Sequence, residues 1–219
     1  VNLTVIVPPP FEPVTLAEVY AHLRLDADGS PLAHPDDAML ARQIQTAREH
    51  VELMTRRALV RQTLRLSMRN LPDTNDALQY MSTQQRMRAV ARVELPRPPL
   101  ASVQSVSYYT QSGVLTTIAS SAYYVTDTQV PELRFVDGYP GLSVQDRPDA
   151  IRVEYVAGYA PEGSPPQTQS DYAANVPRSL KDAILVGVQM LYDSLTPQEY
   201  ERLERLREAL VQPYRIQHV

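Results

Sequence analysis

The chain has 219 residues, 43% of them hydrophobic, and a formal net charge of −4. That length suits one domain or two small ones with a real core, and the acidic balance argues against a protein that grips nucleic acid through a broadly basic surface. Cys is absent, which excludes disulfides and thiolate metal sites, and 19 Pro against 7 Gly favour rigid, extended connections.

Residues 2–7, NLTVIV, are β-prone and end at the Pro8–Pro10 run. Thr15 with Glu18 forms a capping box, and Val14 and Val19 are spaced for a hydrophobic staple. These signals predict a helix from Leu16 to about Leu25, followed by a loop, LDADGSPLAHP. The stretch Asp36–Leu59 then predicts the longest helix. Leu40, Ile44, Ala47, Val51, Met54 and Ala58 recur at steps of four and three and form one apolar stripe. The opposite face carries Arg42, Gln45, Arg48, Glu49, Glu52 and Arg56, and Asp36 and Asp37 sit at the positive end of the helix dipole.

Residues 60–71 alternate, with Gln62, Leu64, Leu66 and Met68 on one side, and predict a strand. Residues 72–92 have no clean period and read as a long loop or hairpin arm. Short β segments follow at 93–95, 103–110, 114–118, 122–126, 132–136 and 150–157, with Ser112-Gly113 as a hairpin turn. Residues 158–175 form a polar, Pro-rich loop. A helix then starts near Pro177, with Leu180, Ile184, Gly187, Val188 and Leu191 on one face. Thr196 and Glu199 make a second capping box, opening a charged helix that carries Tyr200, Leu203, Leu206 and Leu210. Pro213 closes it and leaves an extended apolar and basic tail.

The predicted fold is therefore α+β. A helical bundle over 1–59 plus 177–210, built around one long helix, joins a small antiparallel sheet or sandwich over 60–157. A Pro-rich loop covers 158–176 and a tail covers 211–219. The apolar run at 183–188 is too short to span a bilayer, and no basic segment followed by an apolar core opens the sequence. The expectation is a soluble, intracellular, mainly structural protein with no membrane association.

Catalytic signatures are missing. There is no phosphate loop, no G-x-G-x-x-G, no H-E-x-x-H and no G-x-S-x-G elbow. His22, His34, His50 and His218 are scattered without ligand spacing, so no metal and no cofactor are expected. Asp36-Asp37 reads as charge at a helix N-terminus rather than a catalytic carboxylate pair.

Two features carry more. Arg86, Arg88 and Arg92 follow Arg65 and Arg69, and read either as a solvated face or as contacts to a nucleic-acid backbone. The tail, with Leu210, Val211, Tyr214 and Ile216, reads either as a frayed end or as a docking segment.

The segments PVTLAEVYAHLRLD, DDAMLARQIQTAREHVELMTRRALVRQT, LPRPPLASVQSVSYY, VEYVAGY, VPRSLKDAILVGVQMLY and ALVQPYR occur in that order. In this the chain resembles the head–tail connector (adaptor) proteins of tailed bacteriophages, prophages and gene transfer agents, over nearly its whole length. The 72–92 stretch is longer and more irregular than that family's pattern.

The resemblance implies a non-enzymatic virion protein of the head–tail neck, made in the bacterial host cytoplasm. It implies a ring, typically dodecameric, under the portal protein. Such a ring extends the DNA channel without sequence-specific binding and receives a stopper or tail-completion protein. By position, the portal-binding role falls on Leu210, Val211, Pro213, Tyr214, Arg215 and Ile216. Arg86, Arg88 and Arg92 are the candidate channel contacts. Arg42, Arg48, Glu49, Glu52 and Arg56 are the candidate contacts between neighbouring adaptor subunits. Deletion of 211–219 is expected to leave the fold intact and abolish portal attachment. Two other readings stay open: a stopper or tail-completion neck protein, and a small ligand-binding β-module using some of the 13 Tyr.

Overall fold

The computed structural model describes residues 1–25, 34–71, 92–126, 128–136, 143–161 and 167–216. The loop at 26–33, nearly all of the expected arm at 72–92, part of the Pro-rich loop, Arg86, Arg88 and the last three residues lie outside the described residues. The chain forms an α+β fold of two compact units. One comprises Val1–Pro8 and Gln62–Gly158, the other Pro9–Arg61 and Tyr159–Val219.

The first unit is built of strands: β1 (Asn2–Val7), β2 (Gln62–Met68), β3 (Arg92–Glu94), β4 (Leu100–Tyr109), β5 (Leu115–Thr117), β6 (Tyr123–Val125), β7 (Glu132–Phe135) and β8 (Ile151–Ala157). They make a five-stranded sheet in the order β1-β2-β8-β4-β5 and a three-stranded sheet in the order β3-β7-β6, antiparallel throughout. The period-2 pattern explains the buried face. Leu64 sits opposite Tyr155, Leu66 opposite Val153 and Met68 opposite Ile151, and all six are 2% exposed or less. On the other face Arg65 sits opposite Glu154 and pairs with it at 2.6 Å. The Tyr155 hydroxyl donates to the Pro96 carbonyl at 2.7 Å, and burial pushes that phenol above its ordinary range. The β4–β5 hairpin turns at Gly113, whose φ of +81° suits Gly, with its N–H on the Thr110 carbonyl.

The second unit holds α1 (Leu16–Leu23), α2 (Asp37–Thr55), α3 (Gln169–Ala174), α4 (Arg178–Tyr192) and α5 (Pro197–Val211). Both expected capping boxes are present, at Thr15/Glu18 and Thr196/Glu199. Val14 and Val19, the staple pair, are both buried in the unit's core. That core gathers Leu40, Ile44, Ala47 and Val51 from α2 with Leu180, Ala183, Ile184 and Val188 from α4. At Gly187 the two helices come close. A Cβ added there would stand 3.1 Å from the Ala47 Cβ.

Several expectations change. β1 belongs to the strand unit rather than the helical one, because its backbone groups complete the ladder of β2. The long helix ends at Thr55, not Leu59. Arg56 turns left-handed at φ 58°, which redirects Ala58 and Leu59 into the core as non-helical residues. Part of the predicted Pro-rich loop is the short helix α3, opened by an unrecognised capping box of Thr168 and Asp171. Leu191, expected on the apolar face of its helix, is 50% exposed, and Tyr200 and Leu206 of the charged helix are 50% and 46% exposed. On α4 burial instead extends around the helix to Leu185 and Val186.

Candidate functional site

The C-terminal segment is not an extended arm. α5 runs to Val211, a tight turn covers Gln212–Tyr214, Val211 is buried in the helical core, and Ile216 is 5% exposed. Leu210 and Tyr214 are half-buried against the same core, while Pro213 and Arg215 are exposed. Two hydrogen bonds tie the segment to the end of α2. The Ile216 N–H donates to the Thr55 carbonyl at 3.2 Å, and Arg57 Nε donates to the Tyr214 carbonyl at 2.7 Å. The last carbonyls of a helix lack partners within it, and the left-handed exit at Arg56 leaves the Thr55 carbonyl open. The C-terminal segment supplies its donor. Sequence periodicity ends at α5 and carries no sign of this return contact.

The presumed charged face of α2 divides in two. Arg48 and Glu52 are 4% and 3% exposed and form an ionic cluster inside the unit. Arg48 Nε donates to Glu12 at 2.7 Å and its Nη1 to Glu52 at 3.0 Å. The other Glu52 oxygen accepts the Leu59 N–H at 2.8 Å, closing the turn after the helix. Burial opposes the charge on Arg48, but Glu52, Glu12 and Glu49 outweigh it and hold the guanidinium above its ordinary pKa. Arg48 and Glu52 are therefore interior residues rather than surface contacts. Arg42, Glu49 and Arg56 remain exposed; Leu53, 71% exposed, shares one helical ridge with Arg42 and Glu49, and Arg56 lies just past its end. The i,i+4 spacing of Arg48 and Glu52 beside the apolar stripe was the available signal for the buried pair.

The arginines of the strand unit do not form one bare basic patch. Arg65 pairs with Glu154 at 2.6 Å and Arg69 with Asp146 at 2.5 Å, both on the five-stranded sheet side. Arg92 lies on the three-stranded sheet, 3.7 Å from Glu132, which also binds Arg134 at 2.6 Å. Each described arginine of the proposed set faces a carboxylate, so its field is largely cancelled locally. A further cluster was not anticipated. Asp149 accepts from both Arg147 and Arg152, at 2.6 Å each, and these hydrogen bonds lower its pKa to about 2. The guanidinium carbons of Arg147 and Arg152 lie 3.8 and 4.9 Å from the centre of the Tyr109 ring.

Among the described residues no group of three or more His, Cys, Asp or Glu side chains is arranged to hold a metal ion. No described helix is long and apolar enough to cross a membrane.

No protein-family model matches the chain, and no curated protein matches its sequence. Solved structures do match its fold. A chain of the neck of an empty gene transfer agent particle, computed with C6 symmetry, superposes with a TM-score of 0.68 at 19% identity. A chain of the virion of the native gene transfer agent particle gives 0.68 at 18%, and one from the native neck computed with C12 symmetry gives 0.65 at 18%. Each comparison covers 100% of this chain and 97% of the other. At this identity the likeness defines a shared fold, that of chains found in the neck and virion of gene transfer agent particles.

Proposed function

We propose that this chain is a structural subunit of a head–tail neck, a non-enzymatic adaptor that forms a ring between the portal protein and the next neck or tail protein. The observation that carries this reading is the fold match over 100% of this chain and 97% of the others, to chains of necks computed with C6 or C12 symmetry. A cyclic ring requires a repeated head-to-tail contact that closes. The exposed ridge of Arg42, Glu49 and Leu53, with Arg56 just past its end, supplies one mixed apolar and charged contact surface.

The C-terminal segment meets the portal through the side chains that remain outward, Pro213 and Arg215, while Val211 and Ile216 anchor it to its own unit. DNA passes through the ring without sequence-specific contacts. The paired state of Arg65, Arg69 and Arg92 supports this, because a conduit should not hold its cargo tightly. Arg86 and Arg88 complete the proposed channel contacts. Replacing both with Glu lowers DNA retention in filled particles in this account, and unchanged retention removes those two residues from the channel.

The reading is tested by purifying particles from cells that produce an epitope-tagged chain. The expected result is tag located at the head–tail junction at a copy number fit for a ring. Finished, tailed particles that lack the chain would overturn it.

A further inference from the structure

We propose that the outer edge of β1 is the strand-addition surface by which one copy of this chain joins the next, its partner being the open stretch of β4 in the neighbouring copy. The inference rests on the ring reading above and names the contact that builds the ring. β1 is the terminal strand of the five-stranded sheet. One side pairs with β2, from Asn2 opposite Ser67 to Val7 opposite Thr63, and no described residue pairs with the other.

An open edge presents a row of N–H and C=O groups that templates another strand. Proteins that stay single guard such edges with charge, Pro, bulges or short length. The sequence of β1, Asn-Leu-Thr-Val-Ile-Val, contains neither charge nor Pro. Its register with β2 is unbroken from Asn2 to Val5, with one irregularity between Val5 and Val7. Val5, Ile6 and Val7 are 43%, 39% and 53% exposed, so β-branched side chains line this edge in water. A docked strand satisfies the ladder and removes that apolar surface from water in the same step.

The same sheet carries a matching second edge. β5 covers β4 only at Ser107–Tyr109, and the Ile118 N–H closes on the Val106 carbonyl at 2.8 Å. The preceding stretch, residues 100–105, has β8 on one side and no described strand on the other. It is as long as β1, carries no charge, leaves Ser102 and Gln104 exposed, and has two irregularities in its register with β8, between Leu100 and Ser102 and between Val103 and Ser105.

Direction and symmetry select this pairing. β1 and β4 lie toward opposite edges of the sheet and run in opposite senses, through the antiparallel steps β1–β2, β2–β8 and β8–β4. Laying copies side by side in a ring keeps those senses, so β1 of one copy meets β4 of the next antiparallel, which gives the stronger ladder. Two different edges in contact make a head-to-tail interface that can close into a ring. Pairing β1 with β1 would be twofold and would stop at a dimer.

The absence of Cys in the chain allows a direct test. The full-length double variants T4C/S102C and T4C/Q104C are oxidised and run without reductant. A covalent ladder of successive multimers is expected from at least one pair, with no product beyond a dimer from T4C, S102C or Q104C alone. In parallel, T4K/I6K puts charge on the edge. Its circular dichroism and melting are expected to match the parent, while the ring population, alone or on a portal, falls by about tenfold or more. If the parent forms rings but neither pair gives a ladder and T4K/I6K still assembles, the β1 contact is overturned and the neck reading stands. A dimer from T4C alone, with no ladder from the pairs, overturns it in favour of a twofold β1 contact. A parent that forms no ring, alone or on a portal, overturns both.

Discussion

The backbone N–H of Ile216 donates to the carbonyl of Thr55, joining the C-terminal segment to the end of the long helix α2. The Ile216 side chain is 5% exposed, and Val211, five residues earlier, belongs to the same core as Leu40 and Val188. What the sequence pattern presents as a tail is a structural component of the helical unit.

Ile216→Ala is therefore expected to destabilise the chain by about 2–4 kcal/mol, the cost of deleting buried methyl groups and leaving a cavity. Urea unfolding of the full-length protein measures this. Deletion of 211–219 removes Val211 as well and is expected to cost more, so the truncated protein should not retain parental stability. Parental stability in both variants would show that the segment does not pack on the core.

Arg215 is exposed and makes a cleaner probe of attachment. Arg215→Glu should change stability by no more than about 0.5 kcal/mol, as surface substitutions usually do. It should also weaken binding of the chain to an immobilised portal ring. Undiminished binding would remove Arg215 from that interface.

Breaking the buried ionic cluster is predicted to be severe. Glu52→Leu leaves Arg48 with Glu12 but without its buried carboxylate partner, and the Leu59 N–H without its acceptor. A loss of about 2–4 kcal/mol is expected, because a buried charge loses one of its carboxylates and a buried N–H loses its acceptor. Denaturant unfolding checks it. A loss below about 1 kcal/mol, the scale of a surface pair, would contradict the interior assignment.

Helix packing gives a separate prediction at the closest approach of α2 and α4. Gly187→Leu fills space that the Ala47 side chain already occupies and is expected to destabilise by about 1–3 kcal/mol. The paired variant Gly187→Leu with Ala47→Gly should recover part of the loss, measured as a coupling energy in a double-mutant cycle.

Asp149 sets a pH dependence. Its folded pKa, near 2, lies below the unfolded value of about 3.9. The stabilisation is thus fully present above about pH 4 and is lost as pH falls toward 2. Asp149→Asn should be less stable than the parent at neutral pH, with the gap closing as the pH is lowered through that window. A constant gap across the window would contradict the Arg147–Asp149–Arg152 arrangement.

Local patterns in the sequence were the most readable. The two capping boxes, the stripe Leu40–Ile44–Ala47–Val51 and the alternation of Leu64, Leu66 and Met68 all rest on contacts within a few residues or on one strict period. Non-local features were not readable. The early end of α2 depends on a left-handed Arg56 and on Glu52 reaching Leu59, neither of which changes the apolar period. Arg48 and Glu52 read as solvent-facing because charge is the usual marker of a wet face, and their burial depends on Glu12 arriving from another segment. The place of β1 was missed for the same reason, since its partner β2 is remote in sequence.

In the proposed neck, copies of this chain close into a ring on a portal. Purified chain mixed with the portal protein and imaged by electron microscopy tests it most directly. The expected result is a ring of this chain coaxial with the portal, with one rotationally repeated subunit contact. A chain that stays monomeric at every ratio, with bare portal rings beside it, would contradict it.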